Sequence, residues 1–174
     1  MGDRLQKLFS SEAISATVDR LAERISQDFD DEEILFVCVL KGSYIFTADL
    51  ARKVKAPSAV DFIRAASYGN NMTSSGTMSI TKDLETDVTG KNVIIVEDIV
   101  DSGFTLKEVR DMLSSRGPKR LKICALIDKK AARQVDVRCD YVGFSLDDGF
   151  LVGYGLDYAE KYRNLPDIYV VHKP

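Results

Sequence analysis

Val93-Ile94-Ile95-Val96-Glu97-Asp98-Ile99-Val100-Asp101-Ser102-Gly103-Phe104-Thr105 is the stretch on which the reading of this chain turns. Its first four residues, Val93 to Val96, are continuously apolar and β-branched or aliphatic, as in a strand buried on both faces. A polar turn, Glu97 to Thr105, follows. A helix is expected next, with Leu106, Val109, Met112 and Leu113 on one face, and Gly117-Pro118 stops it. Leu121 to Ile127 reads as another buried strand. A strand, a helix and a strand in this rhythm imply a parallel crossover.

The rhythm extends towards the N-terminus. Ile14, Val18, Leu21, Ile25 and Phe29 form one stripe of an amphipathic helix over Ser11 to Phe29. Ile34 to Leu40 is an apolar run read as a buried strand. Gly42 and Ser43 open a second helix carrying Phe46, Leu50 and Val54, and Pro57 ends that unit. Val60 to Ala66 reads as a strand, with Met78 to Thr81 as its returning partner. Ser67 to Gly76 between them lacks an apolar period and reads as a long loop, of the kind that often serves as a lid. The expected class is therefore α/β, with a central, mostly parallel sheet flanked by helices. The segment from about 140 to 174 breaks the rhythm and is expected to form a small C-terminal hood on a single domain spanning 1–174.

Bulk properties narrow the function. The chain has 174 residues, 45% hydrophobic and 29% charged, which suits one folded domain. A net charge of −3 argues against a role in coating nucleic acid. The longest apolar run, Ile34 to Leu40, is too short to cross a bilayer, and Met1 to Ser10 lacks the apolar core of a signal peptide. Cys38, Cys124 and Cys139 show no metal-ligand spacing and read as reduced thiols, so a cytoplasmic protein is expected. His172 is the only histidine, so acid–base work is assigned to carboxylates or lysines.

The opening stretch also carries the chemistry. In an open α/β sheet, ligands bind at the carboxyl ends of the strands. There the buried strand delivers Glu97 and Asp98, with Asp101 close behind. Ser102, Gly103 and Thr105 are small enough for backbone amides to close on a phosphate at a helix N-terminus. The carboxylates suit ribose hydroxyls or a hydrated metal ion. The plainer alternative is an N-capped helix with a solvated acidic turn.

Four apolar residues followed by Glu-Asp, Asp-Ser-Gly and Thr resemble the signature of the type I phosphoribosyltransferases. Further segments resemble the hypoxanthine-guanine branch of that family. They are Leu40-Lys41-Gly42-Ser43, Ser67-Tyr68-Gly69, Lys129, Val142-Gly143-Phe144, Phe150 through Tyr158, and Arg163, in the family's order and approximate spacing. Two departures stand out: Phe104 where a small or aliphatic residue is expected, and Asp147-Asp148-Gly149 in place of a proline-containing stretch.

The resemblance implies a reaction in which a purine nitrogen displaces pyrophosphate from ribose C1 of phosphoribosyl pyrophosphate. Glu97 and Asp98 would hold the ribose hydroxyls, directly or through Mg²⁺, and Asp101 would take a proton from the purine. Amides of Ser102, Gly103, Phe104 and Thr105 would bind the 5-phosphate. Lys41, through its backbone amide, and Gly42 would meet pyrophosphate, with a cis peptide between Leu40 and Lys41. Lys129 would donate to the oxygen on purine C6, selecting 6-oxopurines over adenine, and its position relative to Phe150 favours it over Lys130. Phe150 would stack on the base and Leu151 offer backbone groups to its edge. Asp157 would hold a second Mg²⁺, Arg163 would pair with pyrophosphate, and Ser67 and Tyr68 would ride a lid. Asp101 as a helix N-cap, Lys129 as a surface lysine, and Arg163 in a salt bridge with Asp157 or Glu160 are the plainer rivals. Competing functions are a xanthine- or guanine-preferring enzyme, a non-catalytic regulator that binds the same donor, and a generic phosphate-binding protein. A homodimer or homotetramer is expected, with no nucleic-acid or membrane partner.

Overall fold

In the computed structural model, residues 4–67 and 78–172 are described. Six strands form the main sheet: β2 (Ile34–Val39), β3 (Ser58–Ser67), β4 (Met78–Lys82), β5 (Asn92–Val100), β6 (Arg120–Lys129) and β7 (Tyr141–Leu146). Their order is β4-β3-β2-β5-β6-β7, and only the edge strand β4 runs antiparallel. Helices α1 (Ser11–Phe29), α2 (Tyr44–Lys53) and α3 (Phe104–Ser115) complete the α/β architecture.

The continuous apolar runs have a simple cause: both faces of the sheet are covered. Ile34, Phe36, Ile94, Val96, Cys124 and Leu126 pack with Ile14, Leu21, Phe29, Phe46 and Leu50 of α1 and α2. The alternate residues Leu35, Val37, Val93, Ile95, Ile123 and Ala125 pack with Leu106, Val109 and Leu113 of α3. Residues one apart on a strand thus enter separate cores. Each fully buried Leu, Ile or Phe contributes about 1.5–3 kcal/mol.

The end of the chain differs from expectation. Tyr141–Leu146, expected at the start of the hood, pairs parallel with β6 as the sixth strand of the main sheet. The hood is a three-stranded sheet in the order β1-β9-β8, built from β8 (Leu151–Val152), β9 (Ile168–His172) and an N-terminal strand β1 (Arg4–Phe9). The alternation of β1 is weak, because Lys7 falls between Leu5 and Phe9 on the inner phase and Leu8 falls on the outer one, and its partner β9 lies at the far end of the sequence. Asp167 ties the hood to α1: its Oδ1 accepts the Ser11 amide at 2.7 Å, while Oδ2 meets Lys7 Nζ at 2.5 Å. His172 bonds Gln6 across the hood at 2.8 Å.

Candidate active site

β5 outlasts its neighbour β2. The β2 pairing stops at Cys38 opposite Val96, whereas pairing with β6 continues to Val100 opposite Asp128. Glu97 to Val100, expected in a turn, therefore belong to the strand and project beyond the end of β2. The space past β2 holds the loop Leu40–Ser43, with the Leu40–Lys41 peptide cis. Ser43 anchors this loop, its hydroxyl donating to Val39 O at 2.6 Å. The Asp98 carboxylate lies directly over Gly42: a Cβ there would stand 1.7 Å from Asp98 Oδ2. The glycine is required by this contact.

Glu97 and Asp98 are each only 9% exposed. Burial pushes the Glu97 carboxyl well above the usual glutamate range, and the adjacent Asp98 charge raises it further. Burial raises Asp98 too, opposed by its hydrogen bonds with Glu97 and the Ile99 amide and by the Arg163 charge. Such a pair favours a cationic or hydroxyl-donating ligand. Among the described residues no three His, Cys, Asp or Glu side chains form a metal-holding group. The two carboxylates fit a cation whose remaining oxygens come from a ligand.

Beyond Val100 the chain turns through Asp101 and Ser102 into Gly103, which caps α3 in the left-handed region at φ 88°. No side chain caps this helix, whereas Ser10 caps α1. The N-cap alternative for Asp101 is thus absent. Its carboxylate instead points to Lys129, with Oδ2 3.6 Å from Nζ. Lys129, on β6, is 6% exposed, whereas the adjacent Lys130 is exposed. A cavity of about 120 Å³ is lined by Glu97, Asp101, Ser102, Gly103 and Thr105. Larger hollows exist, including one of about 290 Å³ beside Glu32, Lys91 and Asn92 at the opposite ends of the strands. The smaller one joins the buried Glu97 carboxyl and the exposed Asp101 carboxylate to the uncapped start of α3. Phe104 is half-exposed on the first turn of α3.

The hood supplies the remaining groups. Phe150 is half-exposed and meets Tyr158 edge-on, with ring centroids 5.4 Å apart. Leu151 is buried and pairs with Val170. Arg163 pairs with Asp157 at 2.9 Å and Glu160 at 3.4 Å, and donates to Gly155 O at 2.8 Å. The salt-bridge alternative for Arg163 is therefore realised, yet its Nε is buried without a hydrogen-bond partner. Glu160 also binds Lys41 Nζ at 2.9 Å. The hood loop and the Lys41 loop meet here, since a Cβ on Gly155 would stand 2.1 Å from Gly42 O.

Of the residues expected at the site, the backbone of Ser67 ends β3, and Tyr68 and the rest of the expected lid lie outside the described residues. Two participants have no counterpart in the sequence reading, Asp128 and Arg133, and a third, Glu160, figures there only as a partner of Arg163 and not of Lys41. No motif marks them, and their roles exist only once β5, β6 and the hood are brought together.

Residues 5–159 match the sequence model of the phosphoribosyl transferase domain family. The chain is 49% identical to a hypoxanthine phosphoribosyltransferase of Salmonella typhimurium, covering 88% of this chain and 87% of the relative. It is 47% identical to a hypoxanthine-guanine phosphoribosyltransferase of Aquifex aeolicus, covering 98% and 96%. A crystal structure of a hypoxanthine-guanine phosphoribosyltransferase from Bacillus anthracis superposes with a TM-score of 0.90 at 46% identity, covering 99% of this chain and 100% of the other. A Trypanosoma cruzi hypoxanthine phosphoribosyl transferase, studied for the role of its C-terminal region in oligomeric state and enzymatic activity, superposes at 0.91 with 38% identity, covering 96% and 91%.

Proposed function

The chain belongs to the phosphoribosyltransferase family, and from that premise we propose that it transfers the 5-phosphoribosyl group of phosphoribosyl pyrophosphate to hypoxanthine, and to guanine, releasing pyrophosphate and forming the purine nucleotide. The observation that carries this reading is the convergence of buried Lys129 on Asp101 directly before the uncapped start of α3. It joins a donor for a purine oxygen, an acceptor for a purine proton and amides for a phosphate.

In the reaction, the C1–O bond to pyrophosphate breaks and a bond from purine nitrogen to C1 forms, while Asp101 takes the proton that the ring must lose. Lys129 donates to the oxygen on C6 and thereby rejects adenine, whose amino group cannot accept that bond. Phe150 stacks on the base, and Leu151 offers backbone groups to its edge. Amides of Ser102 to Thr105 hold the 5-phosphate. Glu97 and Asp98 hold the ribose hydroxyls. Lys41, Gly42 and Arg163 receive pyrophosphate, with the buried Arg163 Nε as a ready donor. Mg²⁺, bound with Glu97 and Asp98 and, as a second ion, with Asp157, would neutralise the departing diphosphate. Ser67 and Tyr68 belong to the lid of the same proposal, as do a single domain and a homodimeric or homotetrameric assembly. No helix among the described residues is long and apolar enough to cross a membrane.

The test is nucleotide formation from phosphoribosyl pyrophosphate, magnesium and hypoxanthine by wild type and Asp101→Asn. Removal of a proton acceptor is expected to lower kcat by about 10²–10⁴-fold with little change in KM for the donor. Equal kcat in both proteins would remove Asp101 from the chemistry.

A further inference from the structure

The phosphate loop is held from behind by one side chain. Arg133 follows the short 3-10 turn at Lys130–Ala132 and is mostly buried. Its Nε donates to Asp101 O at 3.2 Å, its Nη1 to Val137 O at 2.5 Å, and its Nη2 to the Asp128 carboxylate. The next residue adds a second tether to the loop, the Gln134 amide donating to Ser102 O at 2.9 Å. Gly103 packs against the Arg133 stem, where a Cβ would stand 2.8 Å from Arg133 Cδ.

We propose that Arg133, fixed by Asp128, is the positioning residue that aims the 5-phosphate-binding amides. The argument is peptide geometry. In a planar trans peptide the N–H points opposite to the C=O. Holding Asp101 O therefore turns the Ser102 N–H away from Arg133, and holding Ser102 O does the same for the Gly103 N–H. Both amides then face the cavity lined by Glu97, Asp101, Ser102, Gly103 and Thr105. An unheld Gly103, at φ 88°, would leave these peptide planes free to rotate, because glycine tolerates many backbone states.

Asp128 makes the tether specific. It is 4% exposed, lies opposite Val100 in the β5–β6 register and directly precedes Lys129. One anchor thus ties the purine-selecting lysine to the loop that grips the phosphate. The guanidinium meets three acceptors in a single fork, a geometry that an ammonium cannot reproduce.

This inference rests on the proposed transferase reading. Its test is calorimetric titration of inosine monophosphate and of pyrophosphate into wild type, Arg133→Gln, Arg133→Lys and the paired neutral variant Asp128→Asn/Arg133→Gln, with magnesium present. Arg133→Lys keeps a cation beside Asp128, and the paired variant leaves no buried charge alone, so these two preserve the fold if Arg133→Gln does not. The variants are expected to bind inosine monophosphate about 10-fold or more weakly, with pyrophosphate affinity unchanged. Arg133→Lys should recover thermal stability without recovering nucleotide affinity. Wild-type nucleotide affinity in Arg133→Lys, or equal weakening of nucleotide and pyrophosphate, would overturn the positioning role. A folded wild type that binds no inosine monophosphate would instead overturn the transferase reading beneath it.

Discussion

Gly42→Ala is a one-carbon perturbation whose effect follows from a single distance. The added Cβ would stand 1.7 Å from Asp98 Oδ2 and 2.7 Å from its Cγ. Ordinary non-bonded contact lies near 3.5 Å, so the carboxylate must move by about 2 Å. Asp98 is 9% exposed and its Oδ1 accepts the Ile99 amide at 2.8 Å, so displacement breaks a buried hydrogen bond. That costs about 1–3 kcal/mol, or roughly 3–10 °C in Tm for a chain of this size. The catalytic cost is larger, since a misplacement of about 1 Å typically costs 10²-fold. A fall of about 100-fold or more in kcat/KM is expected in the hypoxanthine assay. Gly90→Ala is the control: Gly90 has φ 70° with nothing within 4 Å of a Cβ, so it should lose stability through backbone strain alone and keep full activity. If Gly42→Ala retained wild-type kcat/KM, Asp98 would not be held where the ribose hydroxyls are assigned, and the reasoning would fail.

Three further outcomes are expected. Glu160 occupies Arg163, the cation assigned to pyrophosphate, and the neighbouring Lys41 ammonium, and the Lys41 hydrogen bond holds its carboxyl below the usual glutamate range. Because Glu160 is exposed, Glu160→Gln should tighten pyrophosphate binding by only about two- to fivefold, measured as product inhibition. Asp61 is buried, which raises its carboxyl, but amides of Phe62, Thr86 and Glu85 at 2.7–2.9 Å outweigh burial and lower it overall. A lowered folded-state pKa gives stability that is complete above the unfolded value and lost as pH falls through the folded one. Asp61→Asn should therefore lower Tm by several degrees at neutral pH and shrink the acid-induced loss below about pH 4, followed by thermal denaturation across pH. Removing magnesium with a chelator should abolish turnover while Tm without substrate stays unchanged, because the described residues form no preassembled metal cage.

The parts of this fold that were legible in the sequence are those where a short segment meets one environment. Ile34–Val39 and the apolar half of β5 are buried on both faces, so their composition alone marks them as inner strands. The stripe of α1 was equally plain, because a single helix face enters a single core. The polar residues Glu97 and Asp98 were read as turn although they continue β5, because the strand persists only through pairing with β6. Tyr141–Leu146 was assigned to the hood because Gly143 and Ser145 dilute its apolar pattern, and β6 decides its place. The Asp101–Gly103 turn was recognisable as an ordered motif. Its supports, Arg133 and Asp128, were not, since a side chain that tethers a distant carbonyl leaves no local pattern. Glu160 was seen only as a possible partner of Arg163, and its second bond, to Lys41, spans 119 residues.

On the proposed reading, this site joins a 6-oxopurine to the ribose of phosphoribosyl pyrophosphate. The most direct measurement is base-dependent release of pyrophosphate with nucleotide formation, comparing hypoxanthine, guanine, xanthine and adenine under identical conditions. Stoichiometric nucleotide and pyrophosphate are expected from hypoxanthine and guanine and none from adenine. Turnover of adenine at a comparable rate, or no turnover of any base by a protein that still binds the donor, would contradict this reading.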